Sequence, residues 1–80
     1  MSHQELSSRI RATKNFLQRE LVRNRTHADS SALSYRQIGD RMDMIHEAER
    51  IGVRNLDDRK NRKIVRMINE LEGLRNVNLN

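Results

Sequence analysis

The chain has 80 residues, of which 35% are apolar and 34% are charged, and its net charge is +5. This length predicts one small domain, residues 1–80. The absence of cysteine excludes disulfides and thiolate chemistry. Since no apolar run approaches the roughly 20 residues that span a bilayer, we expect a soluble cytoplasmic protein that does not contact a membrane.

The composition predicts an all-α fold. The chain has no proline, three glycines, one tyrosine and one phenylalanine, so the residues that favour strands are sparse. Apolar residues recur at helical spacing in three segments joined by short connections. The sequence therefore predicts a three-helix bundle with antiparallel neighbouring helices.

Helix 1 is predicted over residues 3–24. Ser2 and Glu5 have the spacing of a capping box, in which a side-chain oxygen accepts the backbone N–H three residues later. The apolar residues that follow at helical spacing are Leu6, Ile10, Leu17 and Leu21.

Helix 2 is predicted over residues 35–51. A second capping box, Ser34 with Gln37, marks its start, and Gly52 suits a left-handed residue at its end. Its apolar residues sweep a wide arc and are Tyr35, Ile38, Met42, Met44, Ile45 and Ala48. So wide an arc predicts that helix 2 is the central and most buried helix.

Helix 3 is predicted over residues 56–74, with Asn55 as its N-cap. Its apolar stripe consists of Ile64, Met67, Ile68, Leu71 and Leu74. Gly73 lies near the predicted end, and we expect residues 76–80 to be loose.

The basic residues are mostly arginines, 13 of 16, and they lie towards the two ends of the chain. Residues 1–31 and 54–80 each carry a net charge of +3, whereas residues 32–53 carry −1. Because guanidinium binds phosphate and carboxylate groups bidentately, this pattern indicates a polyanion or an acidic protein as partner. Ordinary solvated helix faces are the alternative explanation.

The sharpest cluster of cations lies on helix 3. Arg59, Arg62, Lys63 and Arg66 follow one another at helical spacing, and the stripe they form faces away from Ile64 and Ile68. Such a stripe is typical of a helix that binds along a phosphate backbone or in a major groove. A solvated face and a contact for an acidic protein are the two other interpretations.

A second basic patch is predicted on helix 1, from Arg9, Arg19 and Arg23. Phe16 lies between these arginines, so it is either an anchor for a partner or a core residue whose neighbours point outward. We favour the core.

The segment Ser34–Met42 is similar to the first helix of bacterial helix-turn-helix modules, with Gly39 at the position of the small residue. The expected turn is missing, since residues 43–46 contain neither a glycine nor a cap, and we assign no family. A looser arrangement would use helix 3 as the helix that reads the groove.

Signals for an enzyme are weak. His46 begins a segment similar to the zinc-protease helix motif, but Arg50 occupies the place of the second histidine ligand. Three short helices also leave little room for a substrate pocket. We therefore expect no catalytic residue, metal site, cofactor or small-molecule substrate.

Several apolar residues lie off the main stripes of their helices and predict association into a homodimer. These candidates for the dimer interface are Val22, Met44, Ile51 and Val65.

Together these patterns predict a small regulatory protein that binds duplex nucleic acid through its arginine-rich helix. The alternative is a protein-binding adaptor or inhibitor, of the kind that phages and mobile elements encode, whose arginines engage an acidic partner protein. The scarcity of aromatic residues disfavours single-stranded nucleic acid, because its binding relies on stacking.

Overall fold

A computed structural model describes residues 1–27 and 30–78 of the chain. Over these residues it contains three α-helices and no strand: α1 (His3–Thr26), α2 (Tyr35–Ile51) and α3 (Asp58–Asn78). A short 3₁₀ turn, Val53–Asn55, connects α2 to α3. The predicted all-helical fold is therefore confirmed.

The start of α2 confirms its predicted capping box, and the start of α1 confirms the Ser2 half of its predicted box. The Ser2 hydroxyl accepts the backbone N–H of Glu5 at 3.0 Å. At α2, the Ser34 hydroxyl accepts the N–H of Gln37 at 3.1 Å, and the Gln37 amide oxygen accepts the N–H of Ser34 at 2.9 Å. These bonds satisfy N–H groups that have no partner inside the helix, so α2 begins at the predicted residue.

The end of α2 confirms only part of the prediction for Gly52. Its φ is +92°, as expected for a residue that stops a helix, and its N–H donates to the Ala48 carbonyl at 2.9 Å. Its ψ of 134°, however, lies outside the left-handed helical region. The chain therefore continues into the 3₁₀ turn.

The predicted cap of α3 is wrong. The Asn55 amide donates to the Ile51 carbonyl at 3.1 Å and so closes the preceding turn. Asp57 caps the helix instead, because its carboxylate accepts the N–H of Lys60 at 2.8 Å. This cap lies two positions after Asn55, so α3 begins at residue 58 rather than 56.

The helices also extend further than predicted at their C-terminal ends. α1 continues to Thr26, where the threonine hydroxyl donates to the Val22 carbonyl at 3.0 Å. α3 continues through Gly73 to Asn78, so the predicted end at 74 is wrong. Of the segment predicted to be loose, residues 76–78 are helical, and residues 79 and 80 lie outside the described residues.

The core is centred on α1 and not on α2, which corrects the prediction for helix 2. Six residues of α1 are buried, against three of α2. The buried apolar residues are Leu6, Ile10, Phe16, Leu17, Leu33, Ile38, Ile45, Ala48, Ile64, Met67, Ile68 and Leu71. The wide arc of α2 includes Tyr35, which is 61% exposed, and Met42 and Met44, which are only partly buried.

A buried carboxylate holds the connection between α1 and α2. Glu20 is almost completely buried, and one of its oxygens accepts the Ser31 hydroxyl at 3.0 Å and the Ala32 N–H at 3.2 Å. The Asn24 amide donates to the Leu33 carbonyl at 3.2 Å. These bonds place the end of α1 beside the start of α2.

Ion pairs join the helices along the seams between them. Lys14 of α1 lies 3.1 Å from Glu49 near the end of α2, and because the end of α1 lies beside the start of α2, the two helices run antiparallel. Between α2 and α3, the pairs are Arg41–Glu70 at 3.3 Å and Glu47–Lys60 at 3.4 Å. The acids of these pairs are therefore neutralised by basic residues of the neighbouring helices, although their side chains remain partly exposed.

Candidate nucleic-acid interface

Three arginines form the outward face of α3. Arg59, Arg62 and Arg66 are exposed, and none of them forms an ion pair with any described residue. They lie opposite Ile64 and Ile68, which pack into the core. Arg59 and Arg66 are about 10 Å apart along the helix axis, at 1.5 Å per residue. We call these three residues the arginine face.

The acids nearest to the arginine face do not neutralise it. The Glu70 carboxylate pairs with Arg41 of α2 and so is turned towards the seam. Asp58 precedes Arg62 by one turn, but no ion pair joins the two among the residues that the structure describes. The face therefore retains its full positive charge.

Lys63 was predicted in the same stripe, but it lies at the edge of the arginine face. It is exposed and borders a small cavity between α2 and α3, together with Lys60 and Glu47. The predicted four-residue stripe thus divides into three outward arginines and one lysine on the seam.

Arg9 has a structural contact that the sequence did not reveal. Its Nε and Nη2 atoms donate to the two carboxylate oxygens of Glu72 at 2.9 and 2.6 Å, and Nη2 also donates to the Asn69 oxygen at 2.6 Å. This fork ties α1 to α3. Arg9 is therefore withdrawn from the predicted binding patch, because its guanidinium already holds a carboxylate.

The hydrogen bonds between Arg9 and Glu72 shift the pKa values of both side chains. Hydrogen bonding from Arg9, with a smaller contribution from its charge, holds the pKa of Glu72 below its ordinary value, although burial opposes the shift. The same hydrogen bond raises the pKa of Arg9. Since the folded state lowers the pKa of Glu72, this carboxylate stabilises the protein at neutral pH, and the contribution is lost as the pH falls through the lowered pKa.

We therefore expect Glu72→Gln to destabilise the protein by about 1 kcal/mol near neutral pH, since about a quarter of each partner's side chain remains exposed. The difference from wild type should disappear in acid. Urea unfolding at neutral pH and below the lowered pKa measures it, with Asp43→Asn on the exposed side of α2 as the control. An equal deficit at both pH values would contradict the assignment.

The other two arginines of the predicted patch on α1 differ in their ion pairing. Arg19 is exposed and has no ion pair within residues 1–27 and 30–78. Arg23 is half-exposed and lies 3.9 Å from the buried Glu20. Phe16 is buried, which confirms its interpretation as a core residue. Arg19 is therefore available at the surface, whereas Arg23 is exposed but lies in a long ion pair with Glu20, and no aromatic anchor lies between the two.

The four candidates for a dimer interface do not form one surface. Val22 is 62% exposed on the outward side of α1. Met44 and Ile51 border the cavity between α2 and α3, whereas Val65 packs against the core of its own chain. The structure thus brings together only Met44 and Ile51.

The chain was also compared with known proteins. No protein family, curated protein or solved structure matches it significantly. Its function must therefore be argued from its own residues.

None of the helices within the described residues combines the length and the apolar character that crossing a bilayer requires. The same residues contain no group of three or more histidine, cysteine, aspartate or glutamate side chains placed to hold a metal ion. The most distinctive chemistry on the described surface is that of the unpaired guanidinium groups.

Proposed function

We propose that this protein acts in the cytoplasm as a small regulator that binds duplex nucleic acid through the arginine face. One observation carries the proposal: Arg59, Arg62 and Arg66 are exposed together on one helix without an ion-pair partner among the described residues. The carboxylates of Glu47, Glu49, Glu70 and Glu72 are meanwhile engaged along the helix seams.

The dimensions of α3 suit a major groove. An α-helix with its side chains is about 10–12 Å across, close to the roughly 12 Å width of that groove in B-form DNA. The arginine face occupies the N-terminal half of α3, and N-terminal residues contact the bases in helices that read a major groove. Guanidinium groups placed there bind either guanine edges or phosphates.

Duplex is favoured over single strands because the described surface lacks a stacking platform. Phe16 is buried, which leaves Tyr35 as the exposed aromatic ring. Proteins that bind single strands stack successive bases on several such rings. One ring on a different helix from the arginine face does not provide this.

Arg19 and Arg23 of α1 supply a secondary contact in this proposal, and Lys63 adds a charge at the edge of the arginine face. We also propose that two copies associate through Val22, whose apolar side chain is 62% exposed in one chain. A two-fold axis would present two arginine faces to one duplex. A stoichiometry of two chains per duplex is the signature of this arrangement.

A duplex titration at two salt concentrations tests the proposal. If three guanidinium groups each neutralise a phosphate, raising the salt from about 50 to about 200 mM should weaken binding roughly 40-fold. Fluorescence anisotropy of a labelled duplex measures the affinity at each concentration, and a labelled single strand serves as the comparison.

Two results would contradict the proposal. The first is the absence of duplex binding at the lower salt concentration. The second is binding whose affinity hardly changes with salt, because phosphate contacts release counterions. If labelled polyglutamate binds under conditions in which duplex does not, the adaptor or inhibitor of an acidic protein becomes the better function.

A further inference from the structure

A small apolar cavity lies between α2 and α3, beside the arginine face. Its volume is about 100 Å³. The apolar side chains that line it belong to Met44, Ala48, Ile51, Leu56 and Ile64. Because Met44, Ile51 and Leu56 are only partly buried, the cavity opens to the surface.

The size of the cavity restricts what it can hold. Pockets for small-molecule ligands usually have roughly 300 Å³ or more, and an engineered protein cavity of roughly 150 Å³ holds benzene. A cavity of about 100 Å³ therefore suits one branched aliphatic side chain. A protein segment anchors itself on a partner's surface by burying a side chain of this kind in a pocket.

The rim of the cavity is positively charged. Lys60 is neutralised by Glu47 at 3.4 Å, but Lys63 forms no ion pair with any residue in the described part of the chain. Arg59 and Arg66 follow on the adjacent face of α3. An apolar side chain that enters the cavity would thus lie beside a free ammonium group. This charge favours a partner segment that carries a carboxylate next to its apolar side chain.

We propose that this cavity is a docking site for an acidic protein segment. One aliphatic side chain of the segment fills the cavity, and a neighbouring carboxylate pairs with Lys63. A second copy of this chain suits the site less well, because each copy carries a net charge of +5 and the rim would face a surface of the same sign.

This site is distinct from the proposed nucleic-acid interface. The residues that form the apolar wall lie on α2, on the connection and on the inner side of α3, whereas Arg59, Arg62 and Arg66 point outward. The two sites have in common only the nearby positive charge of Lys63. A protein segment bound here would lie next to the duplex, so its charge would weaken duplex binding.

Methyl NMR with a short aspartate-rich peptide that contains one central leucine tests the docking site. We expect saturable shifts centred on the methyl groups of Met44, Ile51, Leu56 and Ile64. Replacement of the peptide's leucine by serine should weaken binding roughly 10-fold or more, since burying a leucine side chain contributes about 1.5–3 kcal/mol.

Two variants separate the anchor from general charge attraction. Ile51→Gln should weaken peptide binding roughly tenfold and leave duplex binding unchanged, whereas Val77→Gln makes a similar change at an exposed residue near the end of α3 and should affect neither. Lys63→Gln should weaken peptide binding by several fold, and Arg36→Gln is its control on α2.

The outcomes are distinguishable. Equal binding of the leucine and serine peptides, or shifts confined to the arginine face, would overturn the docking site while leaving the duplex proposal intact. Shifts of the same four methyl groups that depend on protein concentration without peptide would assign the cavity to a second copy instead. Methyl NMR of the wild-type protein with the leucine and serine peptides tests the docking site even if Ile51→Gln does not fold.

Discussion

Reversing the charge of all three residues in the arginine face, Arg59→Glu, Arg62→Glu and Arg66→Glu, is expected to weaken duplex binding at least roughly 100-fold. It should also reduce the salt dependence by about three phosphate contacts. The physical reason is that these guanidinium groups are exposed and unpaired among the described residues, so their charge is available to a ligand. Fluorescence anisotropy at two salt concentrations measures both quantities.

The matched control reverses three arginines elsewhere on the surface. Arg11, Arg36 and Arg50 are exposed and form no ion pair within the part of the chain that the structure describes, so Arg→Glu at these positions changes the net charge equally. This variant should retain most of the affinity. Equal losses in the two variants would show that binding follows net charge and not the arginine face.

Folding of both charge-reversal variants is checked by thermal melting. Substitutions at exposed positions usually change the free energy of unfolding by no more than about 0.5 kcal/mol each. A variant that is folded and does not bind assigns the loss to the interface. If the α3 variant is folded and binds duplex as tightly as wild type, the interface does not lie on α3.

The largest loss of stability is expected from Leu17→Ala. Leu17 lies near the middle of α1 with 0% of its surface exposed, and α1 contributes six buried residues to the bundle, against three from α2. Removing this side chain leaves a cavity and should lower the free energy of unfolding by about 3 kcal/mol. For a domain of this size, that corresponds to a fall in Tm on the order of 10–25 °C.

Val22→Ala is the comparison variant, since it removes methyl groups from the same helix at a residue that is 62% exposed in one chain. In a monomer it should change the free energy of unfolding by no more than about 0.5 kcal/mol. Urea unfolding at two protein concentrations compares the variants. A small effect of Leu17→Ala would contradict a core centred on α1, and a large, concentration-dependent effect of Val22→Ala would place Val22 in a dimer interface.

Features that depend on neighbouring residues were predicted well from the sequence. The caps at Ser2 and at Ser34 with Gln37 form as expected, because each involves groups only three residues apart. Gly52 ends α2 with a positive φ for the same local reason. The all-helical fold follows from these caps together with the apolar periodicity.

Local patterns were ambiguous where two similar residues competed. Asn55 and Asp57 both have side chains that cap helices, and the choice depends on the 3₁₀ turn, which the Asn55 amide closes.

The prediction that helix 2 is the most buried helix was also wrong. A wide apolar arc shows which residues of α2 are able to be buried, whereas burial itself depends on where α1 and α3 lie.

The sequence by itself determined that cations line one side of α3, since helical spacing places Arg59, Arg62 and Arg66 together and away from the core. Only the tertiary structure decided which basic residues are unpaired. Glu72 is 63 residues from Arg9 in the chain and yet holds its guanidinium in a fork, while Lys63 lies on the rim of a cavity. Such pairings arise when separate helices pack, because they depend on distances in space that no periodicity within one helix encodes.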